Sequence, residues 1–327
     1  MSTYEIEIIL LSCEVETINF PRLKIGNLTP EFPIIQGGMA IKVSMAELAA
    51  AVAEEGGIGL IAATAMTAEE LKKEIARARE KTDGIIGVNI MFAASDFLKL
   101  IRQSISSGID LIVSGAGFSR DMFGLGKEAG IPIVPIVSSL KLARISERLG
   151  AAALVVEGGD AGGHLGSDED SSDLLAQIKG GVSIPVITAG NIVTPADVKD
   201  AFERGADGVQ MGTRFLASRE SSVAGYFKEL CVRAESDEAV KIMSSVGMPA
   251  RAIKTPMVEK IQQGETSPPE KCIGCLKKCS KKFCVRSALL AGKAGDPEKG
   301  LFFTGAGIGK IKEILSVKEI FDRLKEY

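Results

Sequence analysis

The sequence contains no tryptophan, three tyrosines and a single histidine, His164. Neither charge sign dominates: 39 Lys and Arg stand against 42 Asp and Glu, a net charge of −3. That balance gives no basis for a nucleic-acid or anionic-membrane partner. No stretch approaches the ~18 uninterrupted apolar residues of a membrane span. The first twenty residues lack a basic leader and carry Glu5, Glu7, Glu14 and Glu16, so they do not read as a secretory signal, and a cytoplasmic location is expected. Cysteines number six, and in that compartment they are expected as thiols or metal ligands and not as disulfides.

What is abundant is apolar and small. Of 327 residues, 46% are hydrophobic and 25% charged, enough for a large buried core, and 36 are glycine. From Phe32 a unit repeats: a short apolar run, a Gly-containing loop, an amphipathic stretch. The runs begin at Pro33, Gly57, Gly84, Ile109, Ile131, Ala152, Ile184 and Asp207. Each is rich in Val and Ile and apolar on both faces, as strands of a buried parallel sheet are.

The intervening stretches carry helix signals. One ends at Gly56 and Gly57; one opens with Thr67 and Glu70 in capping-box spacing; one has Thr194 as N-cap, Pro195 at the first helical position and Gly205 past its end. Eight consecutive βα units close most economically into an α/β barrel, with an open doubly wound sheet as the other arrangement.

The eighth run has no helix directly after it. The expected organisation is a barrel from residues 22–216 and 301–327, the amphipathic SVKEIFDRLKEY returning as the final helix, with 217–300 as an insertion over one face and 1–21 as an N-terminal arm.

In such a barrel the chemistry sits where strands run into helices. Here those junctions are QGGMA, GVN, SGAG, EGGDAGGHLG, TAGN and QMGTRF, in which glycine lets backbone N–H groups approach a ring or phosphate. The loops after the seventh and eighth runs, Ala189-Gly190-Asn191 and Gly212-Thr213, offer backbone donors and one hydroxyl to a phosphate; the alternative is that they only make tight turns. His164 lies in GDAGGHLG at the catalytic end. An imidazole titrating near neutral pH is suited to move a proton there, with Asp160 and Glu157 as candidates to orient it.

Six motifs in order, PIIQGGMA, GGIGLI, GVNIM, EGGDAGGHLG, IPVITAGNI and GADGVQMGTRF, resemble the flavin-dependent nitronate monooxygenases (formerly 2-nitropropane dioxygenases) and equally the FMN-dependent enoyl-acyl-carrier-protein reductases of the same superfamily. The resemblance spans about residues 22–260 and implies an FMN-bearing TIM barrel with His164 catalytic. It places Gly38, Met39 and Ala40 along the isoalloxazine ring, Asn89 in a hydrogen bond to it, and Glu157 and Gly163 beside it. Ala189, Gly190, Asn191, Gly212 and Thr213 would hold the phosphate, with Gln210 and Met211 near the ring. The chain departs from the pattern at Asn191, where glycine is usual, and at Asp160, where glutamate is commoner; neither change is expected to abolish FMN binding, since Asn also tolerates left-handed backbone geometry.

The leading expectation is nitronate oxidation, with His164 as base or orienting group. The alternative is NAD(P)H-dependent reduction of an enoyl thioester, with His164 assisting protonation or polarising the thioester. A non-catalytic flavin electron relay is a third. GVNIM and RAIKTP lean toward the reductases; GDPEKGLFFTGAG leans toward proteins called nitronate monooxygenases. Implied partners are a small-molecule or acyl-thioester substrate, an electron-transfer or acyl-carrier protein, and a second copy in a homodimer.

Cys272, Cys275, Cys279 and Cys284 read C-x2-C-x3-C-x4-C. Compact spacing is nearer a ferredoxin-type ligand run than a zinc ribbon, although Val285 stands where proline is usual. A 4Fe–4S cluster, a structural zinc or unligated thiols are the three readings. Lys277, Lys278, Lys281 and Lys282 interleave them, either offsetting a thiolate centre's charge or meeting an acidic partner. Cys13 and Cys231 are expected as buried apolar residues.

Overall fold

The computed structural model describes residues 18–327. Residues 1–17 of the expected arm, Cys13 among them, lie outside the described residues. The strands are β1 (Ile34–Gln36), β2 (Ile58–Ala62), β3 (Ile85–Met91), β4 (Leu111–Gly115), β5 (Ile133–Val137), β6 (Leu154–Glu157), β7 (Gly163–His164), β8 (Val186–Ala189), β9 (Gly208–Met211), β10 (Ala239–Met243) and β11 (Pro249–Ile253).

Every one of the eight apolar runs forms a strand of a closed parallel barrel, in the order β1-β2-β3-β4-β5-β6-β8-β9. Closure comes from β1 on β9, with Ile35 opposite Gln210. The open sheet is thereby excluded.

The double-faced apolarity has a direct cause. Alternate residues of a strand point to opposite sides. Ile35, Leu60, Val113, Val134, Val155 and Ile187 fill the barrel interior, joined from below by Leu23 and Ile25. Their neighbours Ile34, Ile61, Ile112, Val156 and Val186 face the helical layer. The expected capping box forms, Thr67 with Glu70, and Thr194, expected as an N-cap, makes a second one with Asp197. Each leaves fewer orphaned N–H groups at a helix start.

After β9 the chain makes only a four-residue helix, Thr213–Leu216, before leaving the barrel. It returns as the helix Val317–Glu326, whose capping box pairs Ser316 with Glu319. That helix packs against the helix Ala46–Glu54 and sets Phe321 edge-on to Phe32, centroids 6.0 Å apart. The excursion between contains the β10–β11 hairpin and the helices Gly225–Arg233, Pro256–Gln263 and Val285–Lys293. No helix of the described residues is long and apolar enough to cross a membrane.

One pairing was not legible in the apolar pattern. The short β7, inside the GGH loop, pairs antiparallel with β11, so that Ala250 lies opposite His164 and Arg251 opposite Gly163. The loop after β6 is thus the third strand of a small sheet built mainly by the excursion.

Candidate active site

A large cavity opens at the C-terminal ends of the barrel strands, and the excursion covers it. Strand tilt and the βα loops place side chains and backbone from every part of the ring around this mouth. Gly38, Met39 and Ala40 line one side and Asn89 follows from β3. Glu157, Gly163 and His164 come from the β6 end and its loop. Ala189, Gly190 and Asn191 follow β8, and Gln210, Gly212 and Thr213 follow from β9. Met211 is the exception. It points outward into the core between barrel and helices, 1% exposed, as strand alternation between Gln210 and Gly212 requires.

Local rules explain several of these positions. Gly38 packs so close to β3 that a Cβ there would sit 2.1 Å from Asn89 Cβ. Only glycine lets the first loop approach Asn89 in this way. The same loop is held by Ser44, whose Oγ accepts from Met39 N at 2.8 Å. Asn191 takes a left-handed backbone, which Asn tolerates, with φ 52°. Its carbonyl accepts from Lys310 Nζ at 3.3 Å, and the same ammonium pairs with Asp197 at 2.7 Å.

The surroundings of His164 differ from expectation in two ways. Its partner is a hydroxyl: Nε2 lies 2.8 Å from Ser244 Oγ, at the end of β10. Asp160 is engaged elsewhere, accepting from Ser171 N at 3.1 Å and Ser171 Oγ at 2.7 Å, and so holds the start of the helix Ser171–Lys179. The ring also stands edge-on to Phe303, with centroids 5.3 Å apart. Burial, uncompensated by any carboxylate, pushes the imidazole down to about 4. His164 is therefore neutral at pH 7 and does not titrate near neutrality.

Glu157 is shifted the other way. Burial first, and the neighbouring Asp160 second, push its carboxyl up to about 8. These opposed shifts give a pH signature to the FMN-free protein. Glu157 holds its proton more tightly when folded, so its contribution is full below pH 4.5 and is lost as pH rises toward about 8. His164 binds its proton less tightly when folded, so its contribution is full above pH 6.5 and is lost as pH falls toward about 4. The slopes oppose one another between them; above pH 6.5 only Glu157 acts. Stability by denaturant titration is expected to fall by roughly 1–2 kcal/mol from pH 6.5 to 8 in the wild type, and Glu157→Gln removes that slope. Equal slopes in the two proteins would show that Glu157 is ionised at neutrality.

Several lining residues carried no local sequence signal. Phe303, Thr304, Gly305 and Gly307 arrive from beyond residue 300. Gly305 N donates to Thr213 Oγ1 at 3.0 Å and Ala306 N to Asp160 O at 2.9 Å, closing the cavity between the GGH loop and the end of β9. The glycines of FTGAG are the one feature that marks this segment in the sequence. Val246, Leu276, Leu289 and Leu301 complete an apolar upper wall.

The cysteine segment docks against this wall. Ser95 Oγ donates to Gly274 O at 2.6 Å, Ser280 N to Ser245 O at 2.8 Å, and Ser245 Oγ to Phe283 O at 2.7 Å. The expected metal centre at Cys272, Cys275, Cys279 and Cys284 is not borne out: among the described residues no group of three or more His, Cys, Asp or Glu side chains is disposed to hold a metal ion. None of the four is in a disulfide. Cys279 Sγ accepts from Lys281 N at 3.4 Å and Cys284 Sγ from Ser287 Oγ at 3.1 Å, while Cys272 is exposed. Contacts to the barrel and hairpin, and not convergence of sulfurs, set the course of this loop. Cys231 is fully buried, as expected.

The residues present fit FMN. Gln210 Oε1 is buried in the cavity wall without a hydrogen-bond partner, ready for a ring donor. A Cβ at Gly212 would meet nothing nearer than Met39 Sδ at 4.0 Å, so the space before that loop is open. Neutral amides around a ring-sized space and Gly-bearing loops after the last two barrel strands match the chemistry of a flavin and its phosphate.

The family model for nitronate monooxygenase matches residues 22–106 and 96–326. A dehydrogenase of Mycobacterium tuberculosis acting on a 5-hydroxy-7a-methyl-1-oxo-octahydro-1H-indene-4-carboxyl-CoA is 34% identical over 236 residues, 72% of this chain and 66% of that protein; the chain thus spans just under two thirds of this relative's length. A probable nitronate monooxygenase of Staphylococcus aureus (strain MSSA476) is 30% identical over 288 residues, covering 74% of this chain and 81% of its own. Among solved structures, FabK of Thermotoga maritima superposes with a TM-score of 0.84 at 38% identity, covering 91% of this chain and 93% of its own. A match that runs through barrel and excursion alike makes this chain a member of the nitronate monooxygenase family.

Proposed function

We propose that the protein is an FMN-dependent reductase of enoyl thioesters, with residues 22–216 and 301–327 as the cofactor-binding barrel and 217–300 as its cover. The observation that carries this reading is the neutral, hydroxyl-paired His164. Ser244 Oγ finds no acceptor for its proton among the described residues other than Nε2, so the hydroxyl donates to the ring while itself accepting from Val246 N at 3.4 Å. The imidazole proton then sits on Nδ1, which has no partner among the described residues. A neutral N–H donor under an apolar wall suits a thioester carbonyl that gains negative charge during reduction. It does not suit abstraction of a proton from a nitroalkane, for which a group pushed down to about 4 is a weak base.

Bound FMN supplies the hydride-carrying chemistry between a reduced nicotinamide and the enoyl β-carbon. The chain's own residues do the rest. Gly38, Met39 and Ala40 would flank the ring, Asn89 and Gln210 would meet its polar edge, and Gly190, Asn191, Gly212 and Thr213 would hold the phosphate. Glu157, kept protonated by burial, adds no charge beside the ring at neutral pH.

A second reading has its own support in the family match and the staphylococcal relatives: oxidation of a preformed nitronate, which needs no base. Two assays separate them. Anaerobic NADH- or NADPH-dependent loss of enoyl-thioester absorbance is expected to exceed oxygen uptake with a nitronate by at least about tenfold in kcat/KM. The reverse ordering would replace the first reading with the second.

A further inference from the structure

We infer that Arg286 is an anchor for a phosphate carried by the molecule that enters the cavity with the bound cofactor; this rests on the reductase reading above. Arg286 is the second residue of the helix Val285–Lys293 and lines the same cavity as His164. Its Nε is buried and makes no hydrogen bond, and no ion pair or hydrogen bond engages its guanidinium among the described residues. A half-buried guanidinium left without an acceptor is costly, because its N–H groups lose water and gain nothing in return. It is tolerated where a ligand supplies the acceptor. The fixed fork of a guanidinium matches the oxygens of a phosphate two at a time.

The segment that carries it strengthens the choice of ligand. Residues 271–293 hold six lysines and Arg286 and no Asp or Glu. None of these seven cations takes part in an ion pair among the described residues. The one that is fixed, Lys277, is held by Phe92, with Nζ donating to the carbonyl at 2.6 Å and lying 3.7 Å from the ring centroid. A patch of one sign at the rim of a cavity draws in a multiply charged anion and raises its local concentration. The apolar neighbours Leu276 and Leu289 then leave Arg286 as the polar fixed point on that side.

Two molecules of the proposed reaction carry phosphate: the nicotinamide dinucleotide and a thioester borne on a phosphopantetheine arm. Their shared chemistry is what Arg286 recognises, and the test separates them. FMN-loaded full-length wild type, Arg286→Gln and Arg286→Lys are compared with NADH and NADPH, with crotonyl-CoA and with the phosphate-free crotonyl-N-acetylcysteamine. The glutamine variant is expected to raise KM for one phosphate-bearing molecule about tenfold, with lysine recovering part of the loss. A rise confined to crotonyl-CoA, absent with the N-acetylcysteamine thioester, identifies the acyl arm; a rise confined to the dinucleotides identifies the hydride donor. Lys72→Gln, an exposed lysine of the helix Ala68–Arg79 outside that segment and the cavity lining, is expected to leave these KM values within twofold of wild type. Binding of NADH and of CoA is also measured by calorimetry, which needs no turnover. If the wild type reduces no enoyl thioester, the reductase reading fails, while calorimetry still decides on Arg286. Unchanged KM values and unchanged affinity for both ligands in Arg286→Gln would overturn the inference.

Discussion

Replacing His164 by alanine is expected to lower kcat for enoyl-thioester reduction by about 10²-fold, the usual loss when one donor to a developing oxyanion is removed. FMN content and the rate of flavin reduction by NAD(P)H should stay close to wild type, because the imidazole is carried by β7 and not by the loops after β8 and β9 that would hold the phosphate. Ser244→Ala should cost less, about tenfold, since it frees the tautomer and leaves the ring in place. The pH profile gives an independent check. With the imidazole pushed down to about 4, kcat should be flat from pH 5.5 to 7. A limb near pH 6.5 that disappears in His164→Ala would show that the histidine titrates as a base, and the donor role would fall.

The largest expected change in stability comes from Gly59→Ala. Gly59 lies in β2 directly beneath the helix Ala46–Glu54, and a Cβ there would stand 1.9 Å from Ala49 O. Backbone faces backbone, so no side-chain rotation relieves the clash and the helix must move. Overpacking of this kind costs about 3 kcal/mol or more. A fall in melting temperature of roughly 4–5 °C should follow. The damage should reach the site as well: Ser44 sits just before this helix, its carbonyl accepts from Ala62 N at 3.0 Å, and its hydroxyl holds Met39 N at 2.8 Å. FMN retention on gel filtration should drop in parallel. Gly124→Ala is the contrast. That glycine is in the helix Arg120–Ala129, where an added Cβ would meet nothing within 4 Å, and alanine there should stabilise by about 0.5–1 kcal/mol. Equal melting temperatures for the two variants would show that the helix can slide without cost.

The barrel could be read from the residues because each strand repeats one physical demand. Ile34 and Ile35, or Leu60 and Ile61, are apolar side by side because one faces the interior and the other the helices. The site was legible wherever it is local. Gly38, Asn89, Gly190 and Asn191 each lie at the end of a strand that announces itself, and all reach the cavity. Met211 was misplaced because proximity along the chain was given more weight than the alternation of a strand. What stayed hidden depends on distant chain segments. Ser244 is 80 residues from His164, and Gly305 is 92 from Thr213; neither contact leaves a periodic trace. The imidazole environment was hidden for the same reason, since burial by Phe303 and Ser244 sets its basicity. The cysteine spacing permits convergence, while Ser95, Ser245 and Lys277 fasten the loop to the barrel and hairpin, contacts that the spacing does not announce.

The pairing of β7 with β11 has a consequence for timing. The imidazole is mounted on the same small sheet that covers the entrance, and Ser245, next to its partner Ser244, is tied to the cysteine segment. A displacement of the hairpin wide enough to admit a long ligand must either carry His164 along or break its backbone pairing with Ala250. Were the hairpin to move in that way, access and readiness would be mutually exclusive states of one element, with His164 back in its place only after the ligand is enclosed and water shut out.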